Sequence, residues 1–248
     1  MKVAVITGAS QGIGGAITQE LNSKKIKVIL ISRNNSKLKN IQKTLKFKKN
    51  SSFIAKDLRS FSACEYVGKK IKNVNYLINV AGATKGGKFL DLKDKFWDDG
   101  FNLKFKAAVR LSRVLWPSLK KNKGKIINIG GGAARKPSNT FMIGGAVNSA
   151  LDNFSKALAM QGKIDKVSVS IIHPGMTLTS RLQKLLETDS KILNKNVDQL
   201  LKQKCKSDRI NRPTQPEEVA RLVYKLIKDK NSNFKNLSIE GGRVKKVK

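Results

Sequence analysis

Cysteine is scarce in this chain, which has only Cys64 and Cys205 among its 248 residues. The two lie far apart in the sequence, without the close spacing that metal-binding cysteines show. This excludes a fold held together by a disulfide framework. We expect reduced thiols, as in a cytosolic protein, and no metal site.

Long apolar runs are missing as well. No stretch approaches the roughly 20 apolar residues that are needed to span a bilayer. The chain opens directly on the apolar segment Val3-Ala4-Val5-Ile6, whereas a secretory signal needs a longer apolar stretch and a small-residue cleavage site. We therefore expect a cytoplasmic protein, and a hydrophobic content of 40% suits a globular domain with a substantial core.

Acidic residues are few, with 17 Asp and Glu against 51 Lys and Arg, which gives a formal net charge of +34. Such an excess suggests a nucleic-acid partner, an anionic surface or an acidic carrier. However, the lysines are spread along the chain in pairs such as Lys24-Lys25 and Lys69-Lys70, and they form no stripe interleaved with aromatic residues. Codon bias explains many lysines but not the shortage of acids. We favour solvated surface lysines and keep an anionic partner as the weaker alternative.

Short apolar runs alternate with helical patterns along the chain. The runs that indicate strands are residues 3–7, 27–32, 53–55, 76–78, 125–129, 167–172 and 237–239. The spacing of apolar residues indicates helices at 13–21, 36–45, 61–71, 96–119, 143–160, 178–206 and from 216 onward. This alternation is typical of a parallel sheet, and strands that are apolar throughout are covered on both faces. The sequence therefore predicts a single α/β domain over residues 1–248. Its doubly wound, Rossmann-like parallel sheet has about seven strands and helices on both faces, and its ligand lies outside the carboxyl ends of the strands.

A glycine-rich loop follows the first predicted strand and opens the first helix. Its sequence is Thr7-Gly8-Ala9-Ser10-Gln11-Gly12-Ile13-Gly14. The glycines allow a tight turn and a close approach of the backbone to a pyrophosphate, and the N-terminus of the helix offers free N–H groups and a partial positive charge. This context, after a strand and before a helix, predicts a dinucleotide-binding loop.

The loop is similar to the TGxxxGxG fingerprint of the short-chain dehydrogenase/reductase family, and the resemblance covers essentially the whole chain. Further matches to that family are Leu77-Ile78-Asn79-Val80-Ala81-Gly82, Asp57-Leu58, Phe101-Asn102-Leu103, Pro174-Gly175, Thr179, Arg212, Pro216–Ala220 and Glu240-Gly241-Gly242. The resemblance implies a nicotinamide cofactor held by Gly8, Ser10, Gln11, Gly12, Ile13, Gly14, Ser32, Arg33, Asp57, Leu58, Asn79, Ala81, Gly82, Asn148, Pro174, Gly175, Thr177 and Thr179. It also implies a homodimer or homotetramer packed through the helices at about 96–119 and 143–160, with the segment 178–206 covering a small-molecule substrate.

The end of the second strand favours NADP(H) over NAD(H). Family members that prefer NAD place an acid there to bind the ribose 2′-hydroxyl, whereas this chain has Ser32 followed by Arg33. A carboxylate would repel a 2′-phosphate, while an arginine offers it a planar pair of donors.

The family's catalytic Ser, Tyr and Lys are missing. In the family, Tyr follows Ser by 13 residues and Lys follows Tyr by four, so Tyr and Lys share one face of a helix. The strand at 126–129 and the helical segment at 154–159 both place these roles at Gly131, Gly144 and Asn148. Of the four usual roles, the resemblance leaves only Asn102. Asn148 can still form a hydrogen bond with a ribose, but it carries no charge.

Three residues are weak candidates to replace the missing groups. His173, at the end of the sixth strand, has a pKa range that suits acid–base chemistry. Lys136 and Ser138 lie on the loop that follows the fifth strand, although a solvent-exposed position is the simpler interpretation of both.

Two functions remain open. The first is an NADP(H)-dependent oxidoreductase that acts on a carbonyl or alcohol with an atypical active site, and the second is a catalytically silent scaffold or sensor that still binds the cofactor. We favour the first, because the segment that covers the substrate in the family is retained.

Overall fold

The computed structural model describes residues 1–231 and 233–247. Within these ranges eight strands form one sheet, in the order β3-β2-β1-β4-β5-β6-β7-β8. The strands are β1 Val3–Thr7, β2 Lys27–Ser32, β3 Ser51–Ala55, β4 Tyr76–Asn79, β5 Lys125–Ile129, β6 Ser168–Pro174, β7 Lys235–Glu240 and β8 Arg243–Lys246. The α-helices are α1 Gly12–Ser23, α2 Asn35–Lys43, α3 Phe61–Lys70, α4 Asp94–Gly100, α5 Ala107–Lys121, α6 Met142–Asp165, α7 Ser180–Leu193, α8 Val197–Ser207 and α9 Pro216–Lys228.

The first seven strands pair in parallel, as predicted, and β8 pairs antiparallel with β7. The chain moves outward from β1 through β2 to β3 and then crosses back to β4 on the other side of β1. This reversal opens a crevice beyond the carboxyl ends of β1 and β4, where ligands bind in such sheets. The predicted doubly wound α/β fold is therefore confirmed.

Each face of the sheet has its own apolar core because side chains of a strand alternate between faces. Ala4 and Ile6 of β1 belong to the cluster that also contains buried residues of α1 and α9. Val3 and Val5 belong to the cluster that contains buried residues of α3 and α5. The continuous apolar run in β1 thus reflects burial on both faces.

The structure corrects three of the predicted elements. The chain forms β8 in addition to the seven predicted strands, and its four residues are all exposed, so they show no apolar pattern. The predicted helix at 96–119 is interrupted by a π-helical stretch at Phe101–Lys106. The predicted helix at 178–206 is divided into α7 and α8, because Asn194 adopts a left-handed conformation with φ of 49°.

Among the described residues, no helix combines the length and the apolar character that crossing a bilayer requires.

Candidate active site and cofactor groove

The glycine-rich loop turns sharply between β1 and α1. Gly8 and Gly12 have φ values of 63° and 53°, in the left-handed region that favours glycine. A Cβ atom on Gly14 would lie 2.2 Å from the carbonyl oxygen of Gly8, so only glycine fits at that position. The start of the loop is tied to the segment that follows β4, because the Thr7 hydroxyl at the end of β1 accepts hydrogen bonds from the backbone N–H groups of Val80 and Ala81.

A groove of about 320 Å³ runs along this loop. It brings together most of the residues predicted to hold a cofactor, namely Gly8, Ser10, Gln11, Gly12, Ile13, Gly14, Ser32, Arg33, Asp57, Leu58, Ala81, Gly82 and Thr179. The hydroxyls of Ser10 and Ser32 lie 2.9 Å apart, which links the loop to the end of β2.

The end of the groove near β2 is basic. Arg33, Lys37 and Lys56 line it, and the Lys37 ammonium donates a hydrogen bond to the Gln11 side chain. The carboxylate of Asp57 also lines the groove, but the Arg59 guanidinium donates hydrogen bonds to both of its oxygens and holds the pKa of Asp57 below the usual range.

A second cavity, of about 430 Å³, lies beyond the carboxyl ends of β4, β5 and β6. It contains the remaining predicted residues Asn148, Pro174, Gly175 and Thr177, together with the loop residues Lys136 and Ser138. The groove and the cavity share the lining residues Ile13, Val80, Gly82, Thr179 and Arg181, so they form one continuous depression.

Other side chains occupy the space beside Gly131 and Gly144, the positions at which the resemblance places catalytic side chains. A Cβ atom on Gly131 would lie 2.7 Å from the amide nitrogen of Asn148, and one on Gly144 would lie 2.0 Å from the ring of Phe141. Phe141 itself lines the cavity. A side chain at position 131 or 144 could therefore be introduced only by moving the Asn148 amide or the Phe141 ring.

Asn148 is 4% exposed, and within the described ranges its Oδ1 atom has no hydrogen-bond partner. A buried acceptor without a partner is energetically costly, because desolvation of the amide is not compensated. Its place in the cavity suits an acceptor for a ribose hydroxyl, so the residues present fit a nicotinamide nucleotide along the groove.

Lys104, which sequence reasoning missed, lines the cavity. It lies in the π-helical stretch, and its ammonium donates a 2.9 Å hydrogen bond to the carbonyl oxygen of Gly130. Burial and the neighbouring Arg181 lower the pKa of Lys104 to about 7.

Arg181 also faces the cavity. Its guanidinium donates a 2.8 Å hydrogen bond to the Thr84 hydroxyl and lies 5.8 Å from the centroid of the Phe141 ring. With Lys104, it gives the inner part of the cavity a positive character.

Among the described residues, three predicted positions line neither the groove nor the cavity, namely Asn102, Asn79 and His173. Asn102, the expected survivor of the catalytic set, is two residues from Lys104 and so points elsewhere on the helix. Asn79 is 5% exposed and donates its amide to Asn128 within the sheet. Neither geometry matches the role that the resemblance implied.

His173 is fully buried and serves the structure. Its Nε2 lies 3.0 Å from Asp152, and its Nδ1 accepts a hydrogen bond from the N–H of Gly131. Burial and then the charge of Arg135 lower its pKa, so the ring is neutral near pH 7. The expectation that His173 provides acid–base chemistry therefore conflicts with its position.

A signal for Lys104 was present in the sequence. Ala108, Leu111 and Leu115 are buried on one face of α5, and the same face continues back to position 104 at helical spacing. A lysine that continues the buried, apolar face of a helix is expected to have a buried ammonium group. The resemblance to the family pointed to the nearby Asn102, because asparagine is the residue type that the family has in this role.

Comparisons with known proteins agree with this geometry. Residues 2–190 match the sequence model of the short chain dehydrogenases. The chain is 28% identical to an uncharacterized oxidoreductase, YvrD, of Bacillus subtilis, over 99% of this chain and 97% of the relative. It is 30% identical to the 3-oxoacyl-[acyl-carrier-protein] reductase FabG of Buchnera aphidicola, over 74% and 77% of the two chains.

Two solved structures have the same fold over nearly their whole length. An actinorhodin polyketide ketoreductase with NADPH superposes with a TM-score of 0.88 at 25% identity, covering 97% of this chain and 96% of the other. An L-sorbose reductase from Gluconobacter frateurii, complexed with NADPH and L-sorbose, gives a TM-score of 0.86 at 28% identity, covering 97% and 95%.

Proposed function

The chain belongs to the short-chain dehydrogenase family, and on that premise we propose that it is an NADP(H)-dependent oxidoreductase acting on a carbonyl or alcohol with an atypical active site. The continuity of the glycine-loop groove with the inner cavity carries this proposal. A nucleotide in the groove would direct its nicotinamide into the cavity, next to the unpartnered Asn148 acceptor.

The charges of the groove support NADP(H). Arg33, Lys37 and Lys56 surround the end of β2, and Ser32 stands where a carboxylate would discriminate against a 2′-phosphate. The acid that does line the groove, Asp57, is neutralised by Arg59. The ketoreductase and the sorbose reductase with similar folds both bind NADPH.

The residues of the chain would then have separate roles in binding the cofactor and the substrate. The bound cofactor supplies or accepts a hydride, as in all nicotinamide chemistry. Asn148 accepts a hydrogen bond from the ribose, Thr179 lies at the junction of groove and cavity, and Arg181 attracts an electron-rich oxygen of the substrate. α7 and α8 cover the cavity, since Leu182, Asp189 and Lys204 line it.

A homo-oligomer formed through α5 and α6 belongs to the same proposal. Met160 and Ile164 of α6 are 72% and 75% exposed, and such apolar side chains on one helix suit a contact with a second copy. Light scattering that gives the mass of a monomer at micromolar concentration would contradict it.

The test is a titration of the protein with NADPH and NADH, followed by the fluorescence of the bound cofactor. We expect tighter binding of NADPH, and we expect Arg33→Ala to weaken NADPH binding roughly tenfold while changing NADH binding little. Arg243→Ala is the matched control, because Arg243 is an exposed arginine on the distant strand β8. Absence of binding, or equal loss in both variants, would overturn the cofactor assignment.

A catalytically silent cofactor-binding protein is the second candidate. The observation that favours it is the replacement of the catalytic hydroxyls by Gly131 and Gly144, with Asn148 and Phe141 packed into their space. Consumption of NADPH with ketoses or 3-oxoacyl thioesters would decide for the reductase. Selective NADPH binding without consumption across such a panel would decide for the silent protein.

A further inference from the structure

Reduction of a carbonyl requires a proton as well as a hydride. The hydride forms a C–H bond at the carbonyl carbon, and the oxygen then needs a proton to become a hydroxyl. Tyrosine does this in the family, but Gly144 stands at that position, and no tyrosine lines the cavity among the described residues. Another group must hold the proton.

The charged side chains that line the cavity leave few candidates. In the described ranges, the charged residues that line the cavity are Lys104, Lys136, Arg181, Asp189, Lys204, Asp208 and Glu240. Lys136 is paired with Asp208 and Glu240, and Lys204 is paired with Asp189. Arg181 does not release a proton at physiological pH.

Lys104 differs from the other lysines of the cavity. Within the described residues it has no carboxylate at ion-pair distance, and its one polar contact is the hydrogen bond to Gly130. Gly130 immediately precedes Gly131, the position of the missing serine. A Cβ atom on Gly82 would lie 2.9 Å from the Lys104 side chain, so that glycine makes room for it.

We propose that Lys104 is the catalytic acid of this site and donates a proton from Nζ to the carbonyl oxygen of the substrate. This inference rests on the function proposed above. As the carbonyl carbon is reduced by the hydride, the π-electron pair moves to oxygen, an O–H bond forms and one N–H bond of Lys104 breaks. The alcohol leaves, the nicotinamide is left oxidised, and the neutral amine takes a proton from water.

The surroundings of Lys104 favour this role. Burial and the positive charge of Arg181 on α7 both lower its pKa, to about 7. Among the described residues no carboxylate lies at ion-pair distance from Lys104, and the ends of β4 and β5 lie beside it with Gly82 and the carbonyl oxygen of Gly130. An acid with a pKa near the working pH gives up its proton readily and recovers it quickly.

The first test measures the lysine itself. Protein labelled with isotopes at its lysine side chains is titrated by NMR, and the signal that disappears in Lys104→Met is assigned to Lys104. We expect this signal to titrate near neutral pH. The control is Lys106→Met, which removes an exposed lysine of the same helical stretch. A Lys104 signal that shows no titration near neutral pH would contradict the proposal.

The second test separates proton donation from charge. Lys104→Arg keeps the cation but does not release a proton, and Lys104→Met removes both. We expect both variants to lose at least about 100-fold in kcat for the reduction of a carbonyl, and we expect NADPH binding within about threefold of the wild type. The wild-type rate should fall as the pH rises above neutrality. Partial recovery of Lys104→Met by a small primary amine would support the role.

The outcomes distinguish the two proposals. A wild-type protein that binds no NADPH or reduces no carbonyl overturns the proposed function and, with it, the role of Lys104. An active wild type together with an active Lys104→Arg overturns the acid role alone, because charge then suffices. If Lys104→Met does not fold, Lys104→Arg still decides.

Discussion

At the scale of single residues, Phe141 shows how tightly the cavity wall is packed beside position 144. Its ring occupies the space beside Gly144, where a side chain would begin. The ring also lies under the Arg181 guanidinium, at 5.8 Å from its centroid. Glycine at position 144 and phenylalanine at position 141 are therefore complementary, and a change at one depends on the other.

We expect Gly144→Tyr alone to destabilise the protein by about 1–3 kcal/mol, because overpacking forces the Phe141 ring out of place. Phe141→Ala should remove most of that penalty. The measurement is a double-mutant cycle with urea denaturation of the wild type, F141A, G144Y and the double variant. Additive free energies would show that the ring and position 144 do not share space.

At the scale of elements, the junction of β1 and α1 shows how closely the backbone is packed. Gly14 and Gly15 are neighbours in the first turn of α1, yet their surroundings differ. A Cβ atom on Gly14 would meet the backbone of Gly8 at 2.2 Å, whereas one on Gly15 would meet the flexible end of Ile41 at 3.2 Å and the Ala9 carbonyl oxygen at an ordinary 3.8 Å. The first contact cannot relax unless the glycine-rich loop moves.

This pair provides a matched test of the loop. We expect Gly14→Ala to lower the melting temperature and abolish NADPH binding, because the loop must leave the groove. Gly15→Ala should bind NADPH normally and gain up to about 1 kcal/mol from helix propensity. Thermal denaturation and the fluorescence titration measure both effects. Equal NADPH binding by the two variants would show that the loop tolerates the displacement.

At the scale of the whole molecule, the net charge of +34 sets the electrostatics. Many of the acids already pair with lysines or arginines, as Asp57 does with Arg59 and Glu218 with Arg212. The remaining cations repel one another, and this repulsion destabilises the compact state. The same field raises the local concentration of anionic ligands near the groove.

We expect the melting temperature to rise when sodium chloride increases from about 10 mM to about 150 mM, as the Debye length shortens from roughly 30 Å to 8 Å. Sodium sulfate at equal ionic strength is the comparison that separates screening from binding of a particular anion. A melting temperature that stays constant or falls in sodium chloride would mean that charge repulsion does not limit stability.

The sequence by itself determined the fold class and the cofactor groove of this protein. Apolar runs and helical spacing are local patterns, and they set which segments become strands and helices on the two faces of the sheet. The glycine-rich loop can also be predicted from the sequence, since the backbone geometry of this one short segment requires Gly8, Gly12 and Gly14. The exposed strand β8 lacked such a pattern and was missed.

Only the tertiary structure decided which side chains face the cavity. Lys104, Phe141 and Arg181 come from different elements, and their convergence depends on how those elements pack. The sequence pattern places His173 and Asn79 at the ends of strands that border the site. In the structure, however, both side chains are buried. The orientation of a side chain is fixed by neighbours that are distant in the chain, so local spacing alone could not reveal the polar and charged groups of this site.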